Sequence, residues 1–125
     1  MAERVPPPVL PPTEVDAALA GRAAWRRDGE RIVGTYRCAG FASAIELVVA
    51  VAAAAEAADH HPDIDVRWDT VTFALATHES GGITHRDLDL AVTIDRLADG
   101  GGDGGRRPGD GGRRPGDGGR AAGLS

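Results

Sequence analysis

Apolar positions recur with helical and strand periods only between residues 13 and 98, and their spacing predicts a helix, a hairpin, a helix, a short strand pair and a last helix. Thr13 with Asp16 three residues on has the spacing of a capping box. It would open a short helix carrying Val15, Ala18 and Leu19, ended by Gly21. Asp28-Gly29 marks a tight hairpin between strands at about residues 23–27 and 31–38, with Ile32, Tyr36 and Cys38 on one face of the second. From residue 41 to 58 the chain is alanine-rich, with Phe41, Ile45, Val48 and Ala52 at helical spacing and Pro62 as a stop beyond them. Val71, Phe73 and Leu75 alternate with Thr72, Ala74 and Ala76, which reads as a strand with one bulky and one small-residue face. Thr84 and Asp87 form a second capping box ahead of Leu88, Ala91, Ile94 and Leu97, a helical stripe that runs to Gly100. The layer solution for such elements is α+β, with helices on one face of an antiparallel sheet.

Composition sets the ends apart from this body. Five of the eight prolines fall in the first twelve residues and twelve of the 18 glycines lie after Asp99, so residues 1–12 read as an extended lead-in and residues 99–125 as a flexible tail. The tail repeats GDGGRRP at residues 102–108 and 109–115, with a truncated third copy. With no apolar position in the unit, nothing offsets the entropy of ordering it. Residues 13–98 suffice for one domain with one core. They are too few for two domains, a doubly wound nucleotide fold or a barrel of eight βα units.

Charge and cysteine content narrow the function further. Residues 13–98 carry eight arginines and no lysine against fourteen aspartates and glutamates, a net of −6, so nucleic acid is not an expected partner. No apolar run approaches the ~20 residues of a membrane span and no signal-peptide stretch is present near the start, which gives the expectation of a cytoplasmic protein without a membrane partner. Cys38, the single cysteine, has no internal disulfide partner and is expected to be a small buried apolar residue.

The candidate chemistry lies in the histidines, all four of which fall between positions 60 and 85. His60 and His61 follow the central helix and His78 ends the small-faced strand, with Glu56, Asp59, Glu79 and Asp87 flanking them. Imidazoles titrate near neutrality, so several of them oriented by carboxylates can give and take protons at working pH. In order the residues read Glu56, three residues, His60-His61-Pro62, five residues, Trp68, nine residues, His78, eight residues, Asp87. This pattern resembles the signature of the pterin-4a-carbinolamine dehydratase family, and the surrounding HHPDI, THESGGIT and DLDLA are similar to that family as well. The resemblance runs from about Trp25 through Leu97.

The resemblance implies three helices packed on a four-stranded antiparallel sheet, assembled as a homodimer or homotetramer. It implies loss of water from a 4a-hydroxytetrahydropterin, the product left when an aromatic amino acid hydroxylase uses tetrahydropterin, to give a quinonoid dihydropterin. Neither a metal nor any other cofactor is implied. Carried over residue by residue, His61 is the leading acid/base group, with His60 and His78 as partners that bind the pterin and shuttle protons. Glu56, Asp59 and Asp87 would orient imidazoles or polar ring atoms, while Pro62 and Trp68 would shape the pocket. A non-catalytic assembly factor, coactivator or dimerisation module of the same fold is the alternative.

Each residue also has a plainer role. His60-His61-Pro62 can be a helix stop, His78 a solvated strand end, Asp87 a helix cap, Glu56 a solvated helix residue and Trp68 a core residue. His85 reads as surface, Gly81-Gly82 as a turn, and a metal site is disfavoured because adjacent histidines project in different directions. Tyr36 and Cys38 stand where family members carry a Phe-x-Phe pair, and Leu47 where an aromatic is common, which predicts a thinner core.

Overall fold

The computed structural model describes residues 5–100; the repeat tail from residue 101 onward lies outside the described residues. Seven elements follow one another: α1 (Pro12–Leu19), β1 (Trp25–Asp28), β2 (Arg31–Arg37), α2 (Phe41–Ala58), β3 (Asp63–Arg67), β4 (Thr70–Leu75) and α3 (His85–Gly100). The strands form one antiparallel sheet in the order β1-β2-β4-β3. Helix α2 carries the chain from β2 past the sheet to the far edge, and β4 returns between β2 and β3. This is the α+β arrangement of three helices and four antiparallel strands.

Alternation in the strands decides which face is covered. Ile32, Val71, Phe73 and Leu75 are at most 1% exposed and point at the helices, where Val15 and Leu19 of α1, Ala44, Leu47 and Val51 of α2, and Leu90, Ala91 and Ile94 of α3 meet them. On the other face exposed Thr35 and half-buried Thr72 form a cross-strand pair. Gly34 is required by packing: Trp25 lies opposite it in the register, and a Cβ there would come within 2.5 Å of the indole ring.

The core is not thinned at Tyr36. Its ring continues an edge-to-face row from Trp25 to Phe73, with centroid separations of 6.3 and 5.9 Å. The hydroxyl donates to Asp95 Oδ1 and accepts from Trp25 Nε1, while Arg22 holds Asp95 Oδ2 at 2.8 Å. A tyrosine thus fills the aromatic position and ties β2 to α3. Leu47 is buried and Cys38 half-buried.

Four local expectations change. Thr13 makes no cap bond: α1 begins at Pro12, with Pro11 in the cap position, and Asp16 pairs with Arg27 of β1 instead. Proline at the first helical position has no N–H to satisfy, and the Glu14 N–H turns to the backbone oxygen of Pro11. The hairpin turn is Gly29-Glu30 rather than Asp28-Gly29, because Asp28 pairs with Arg31 and the positive φ of 64° falls on Gly29. The lead-in is not a free spacer, for Leu10 packs against the core and its N–H donates to Ile83 O. Lastly, α2 comes closer to span length than a count of apolar runs suggests: its eighteen residues have a mean hydropathy of 1.8, yet Ala44, Leu47, Val51 and Ala55 are buried in this fold.

Candidate active site

The site starts with the end of α2. Asp59 takes the left-handed conformation (φ 53°), its N–H returns to Glu56 O and the N–H of His60 reaches Ala55 O, which closes the helix with a Schellman turn. The chain therefore leaves the helix abruptly, with His60 turned inward and His61 outward. His60 is 9% exposed, whereas His61 is open to solvent. Pro62 follows half-buried and leads into β3.

The start of α3 supplies the partner of His60. Asp87 is fully buried and accepts three hydrogen bonds: Thr84 N–H to Oδ2 at 2.9 Å, the Thr77 hydroxyl to Oδ2 at 2.9 Å, and His60 Nε2 to Oδ1 at 2.5 Å. With the Thr77 hydrogen committed to Asp87, the Thr84 hydroxyl donates to Thr77 Oγ1 (2.7 Å) and itself accepts the Arg86 N–H (3.2 Å). The capping box is present, and its acid serves a second purpose. Because the carboxylate only accepts, His60 carries its hydrogen on Nε2, and Nδ1 is the nitrogen left to exchange a proton.

His61 repeats the arrangement at the surface. Its Nε2 lies 2.7 Å from Glu56 Oε2, five residues back on α2, so the same assignment leaves Nδ1 free. His78 is exposed and sits directly after Thr77, one of the groups that hold Asp87. A single carboxylate thus joins the end of α2, the β4–α3 loop and the start of α3. Asp59 contributes the backbone turn that separates the two imidazoles.

Trp68 departs from the expectation of a core residue. It occupies the β3–β4 turn at φ 56° and is 69% exposed. Along β3 it stands roughly 20 Å from Pro62, so within one chain the structure does not bring it to the imidazoles. His85 is on the surface, as expected, beside Asp89.

Arg86 is the residue that the sequence reading missed. A pocket of ≈ 230 Å³ between α2 and α3 is lined by Ala54, Ala58, His60, Arg86, Asp89, Leu90 and Thr93. Arg86 Nη1 is bonded to Glu79 Oε2, so this cation also ties α3 to the residue after His78. The available signal was an arginine adjoining the motif acid in a strongly acidic domain. A search centred on imidazoles and carboxylates passes over it. Of the three motif histidines only His60 lines this pocket, beside Arg86; His61 and His78 are exposed and outside its lining.

A family model described as Pterin 4 alpha carbinolamine dehydratase matches residues 8–97. A Nocardia farcinica protein provisionally named a pterin-4-alpha-carbinolamine dehydratase is 51% identical over 90 residues, which cover 72% of this chain and 95% of the relative. A Roseiflexus relative of the same provisional name is 48% identical over 88 residues, covering 70% and 95%. Among solved structures, a Brucella melitensis protein described as a transcriptional coactivator/pterin dehydratase superposes with a TM-score of 0.69 at 28% identity, over 73% of this chain and 99% of that one. A pterin dehydratase-like protein described as a RuBisCO assembly factor in the alpha-carboxysome shares the fold, with a TM-score of 0.52 at 23% identity over 60% and 89% of the two chains.

Proposed function

Since the chain belongs to the pterin 4 alpha carbinolamine dehydratase family, we propose that it removes water from a 4a-hydroxytetrahydropterin to give the quinonoid dihydropterin. The observation that carries this reading is the pair of adjacent imidazoles, each with Nε2 fixed on a carboxylate and Nδ1 free. The reaction needs two proton movements. The C4a hydroxyl takes a proton and leaves as water with the C–O bonding pair, and N5 gives up its proton as the C4a=N5 bond forms; no electrons are gained or lost overall. His61, open to solvent, is the leading group for this exchange and can be recharged from water. His60, buried on Asp87, and His78, on its loop, hold the pterin and pass protons. Arg86 supplies a cation beside His60. Hydroxylation of an aromatic amino acid is the reaction class that supplies the substrate.

The test is the decay of the ultraviolet absorbance of a 4a-hydroxytetrahydropterin generated in situ by such a hydroxylase. Acceleration by the folded wild-type chain that His61→Ala largely removes is the expected result; decay at the spontaneous rate would end the dehydratase reading.

One observation supports self-association and keeps a binding role in view. Phe41, Ile45 and Val49 lie four residues apart on α2 and are 54, 38 and 64% exposed, an apolar stripe beside the face that packs on the sheet. We propose that this stripe meets the same stripe of a second copy, in a homodimer or homotetramer. Val49→Arg should lower the mass measured by light scattering, and an unchanged mass would exclude this face. A non-catalytic assembly module of the same fold would keep that association and show no turnover.

A further inference from the structure

The β4–α3 loop is anchored on two sides, by α3 through Asp87 and the Arg86–Glu79 bond, and by a segment outside the imidazole site. Thr77 and Gly82 form an isolated antiparallel bridge, with Thr77 N–H donating to Gly82 O at 2.9 Å, and the N–H groups of Ser80 and Gly81 turn back to Thr77 O. Residues 78–81 are thereby closed into a compact loop that presents His78. Thr77 and Thr84 fasten the base of this loop to Asp87.

The second anchor is the proline-rich segment ahead of α1. The Ser80 hydroxyl donates to Pro7 O at 2.6 Å, and Leu10 N–H donates to Ile83 O at 2.8 Å. Between these two bonds Val9 lies over Gly82, so close that a Cβ added there would stand 3.0 Å from Val9 Cγ1. Five prolines, at positions 6, 7, 8, 11 and 12, fix φ along this stretch, so the segment is stiff before it docks and loses little entropy on doing so. Three contacts within four residues, all to residues 80–83, are more than a passing chain would make.

We propose that residues 7–10 are a positioning strap for the catalytic loop: they hold residues 80–83 and through them set where His78 stands. The chemistry assigned to His78 rests on the proposed dehydratase function, whereas the strap itself rests on contacts that do not involve it. Val9 and Ser80 are positioning residues; neither is required to touch substrate. Loosening the strap should lower kcat/KM, because the loop still forms but presents His78, which holds the pterin and passes protons, in several positions.

The test uses the full chain and a double-mutant cycle at the tightest contact. The φ of Gly82 lies outside the left-handed region, so alanine is acceptable to the backbone there, and its Cβ acts by pushing on Val9, which the bonds at Pro7 and Leu10 on either side hold in place. Gly82→Ala is expected to lower kcat/KM at least fivefold. Adding Val9→Ala, which removes the two methyl groups in the way, should restore kcat/KM to within twofold of Val9→Ala alone. In parallel, the ring resonances of His78 and their titration are followed by NMR; they should shift in Gly82→Ala and return in the double variant. If the wild-type chain shows no turnover, the dehydratase reading falls and the NMR arm still judges the strap. If Gly82→Ala does not fold, Ser80→Ala, which removes only the hydroxyl that holds Pro7 O, is read in the same two ways. A folded Gly82→Ala or Ser80→Ala variant whose His78 signals match wild type, or a Gly82→Ala defect that Val9→Ala leaves unrelieved, would overturn the proposal.

Discussion

Replacing Asp87 separates the structural from the chemical role of the site, because asparagine and alanine undo different parts of it. The carboxylate receives Thr84 N–H and the Thr77 hydroxyl on Oδ2 and His60 Nε2 on Oδ1, with no exposed surface. Alanine removes all three acceptor bonds and leaves a backbone N–H, a hydroxyl and an imidazole N–H without partners. At ~1–3 kcal/mol for each buried group left unsatisfied, the loss is about 3–9 kcal/mol. A domain of this size has only about 5–10 kcal/mol in total, so Asp87→Ala should be close to unfolding at 37 °C. Asparagine is the informative change. Its carbonyl oxygen in the place of Oδ2 keeps the Thr84 and Thr77 bonds, which puts its NH2 group opposite His60. His60 must then accept at Nε2 and move its hydrogen to Nδ1, the nitrogen that was free to act. The stability cost should be about 1–2 kcal/mol, the difference between charged and neutral acceptors. The rate should fall by about a hundredfold or more, as expected for loss of a correctly protonated acid/base group. Urea unfolding gives the first number and the absorbance decay of the carbinolamine gives the second. An Asp87→Asn variant that is folded and turns over within threefold of wild type would refute the tautomer argument and reduce Asp87 to a helix cap.

Other expectations follow from the same geometry. Glu56→Gln breaks an exposed pair and should change stability by less than about 0.5 kcal/mol, while lowering turnover by loosening His61; urea unfolding beside the absorbance decay reads both, and equal turnover would free His61 from Glu56. Burial, helped by the charge of Asp69, pushes the Cys38 thiol up to about 11 from 9.0. At pH 8 its thiolate fraction is then about a hundredfold below that of the unfolded chain. Reaction with a chromogenic disulfide should be slower in the folded protein by at least that factor, and equal rates in buffer and in urea would contradict the burial. Burial first, then the hydrogen bond and charge of Asp95, raise the Tyr36 hydroxyl far above its ordinary value. A folded-state pKa above the unfolded one contributes stability that is complete below about pH 10 and is lost as pH rises beyond it. The chain has one tyrosine, so tyrosinate absorbance should appear only together with alkaline unfolding followed by circular dichroism; ionisation well before unfolding would show the Tyr36–Asp95 bond to be absent.

What the sequence revealed, and what it hid, divides by the range of the interaction involved. Val71, Phe73 and Leu75 were readable as the buried face of a strand because period-two alternation is a property of adjacent residues, and all three are at most 1% exposed. The bond between Asp87 and Thr84 was readable because three-residue spacing at a helix start brings them together in any protein. His60 was readable as a candidate, but its burial was not: that depends on Asp59 adopting a left-handed turn and on Asp87, 27 residues away, facing the end of α2. Trp68 misled for a related reason. Aromatic side chains are usually buried, yet a positive φ in a two-residue turn between β3 and β4 turns this one outward, and no local pattern distinguishes such a turn from a strand interior. The lead-in misled most. Proline density implies an extended chain, and residues 5–11 carry no helix or strand, but extension says nothing about docking, and the contacts of this stretch are to residues more than seventy positions later. A rigid segment loses little on being held, so a proline-rich lead-in is well suited to hold a loop by a few specific contacts without forming a core of its own.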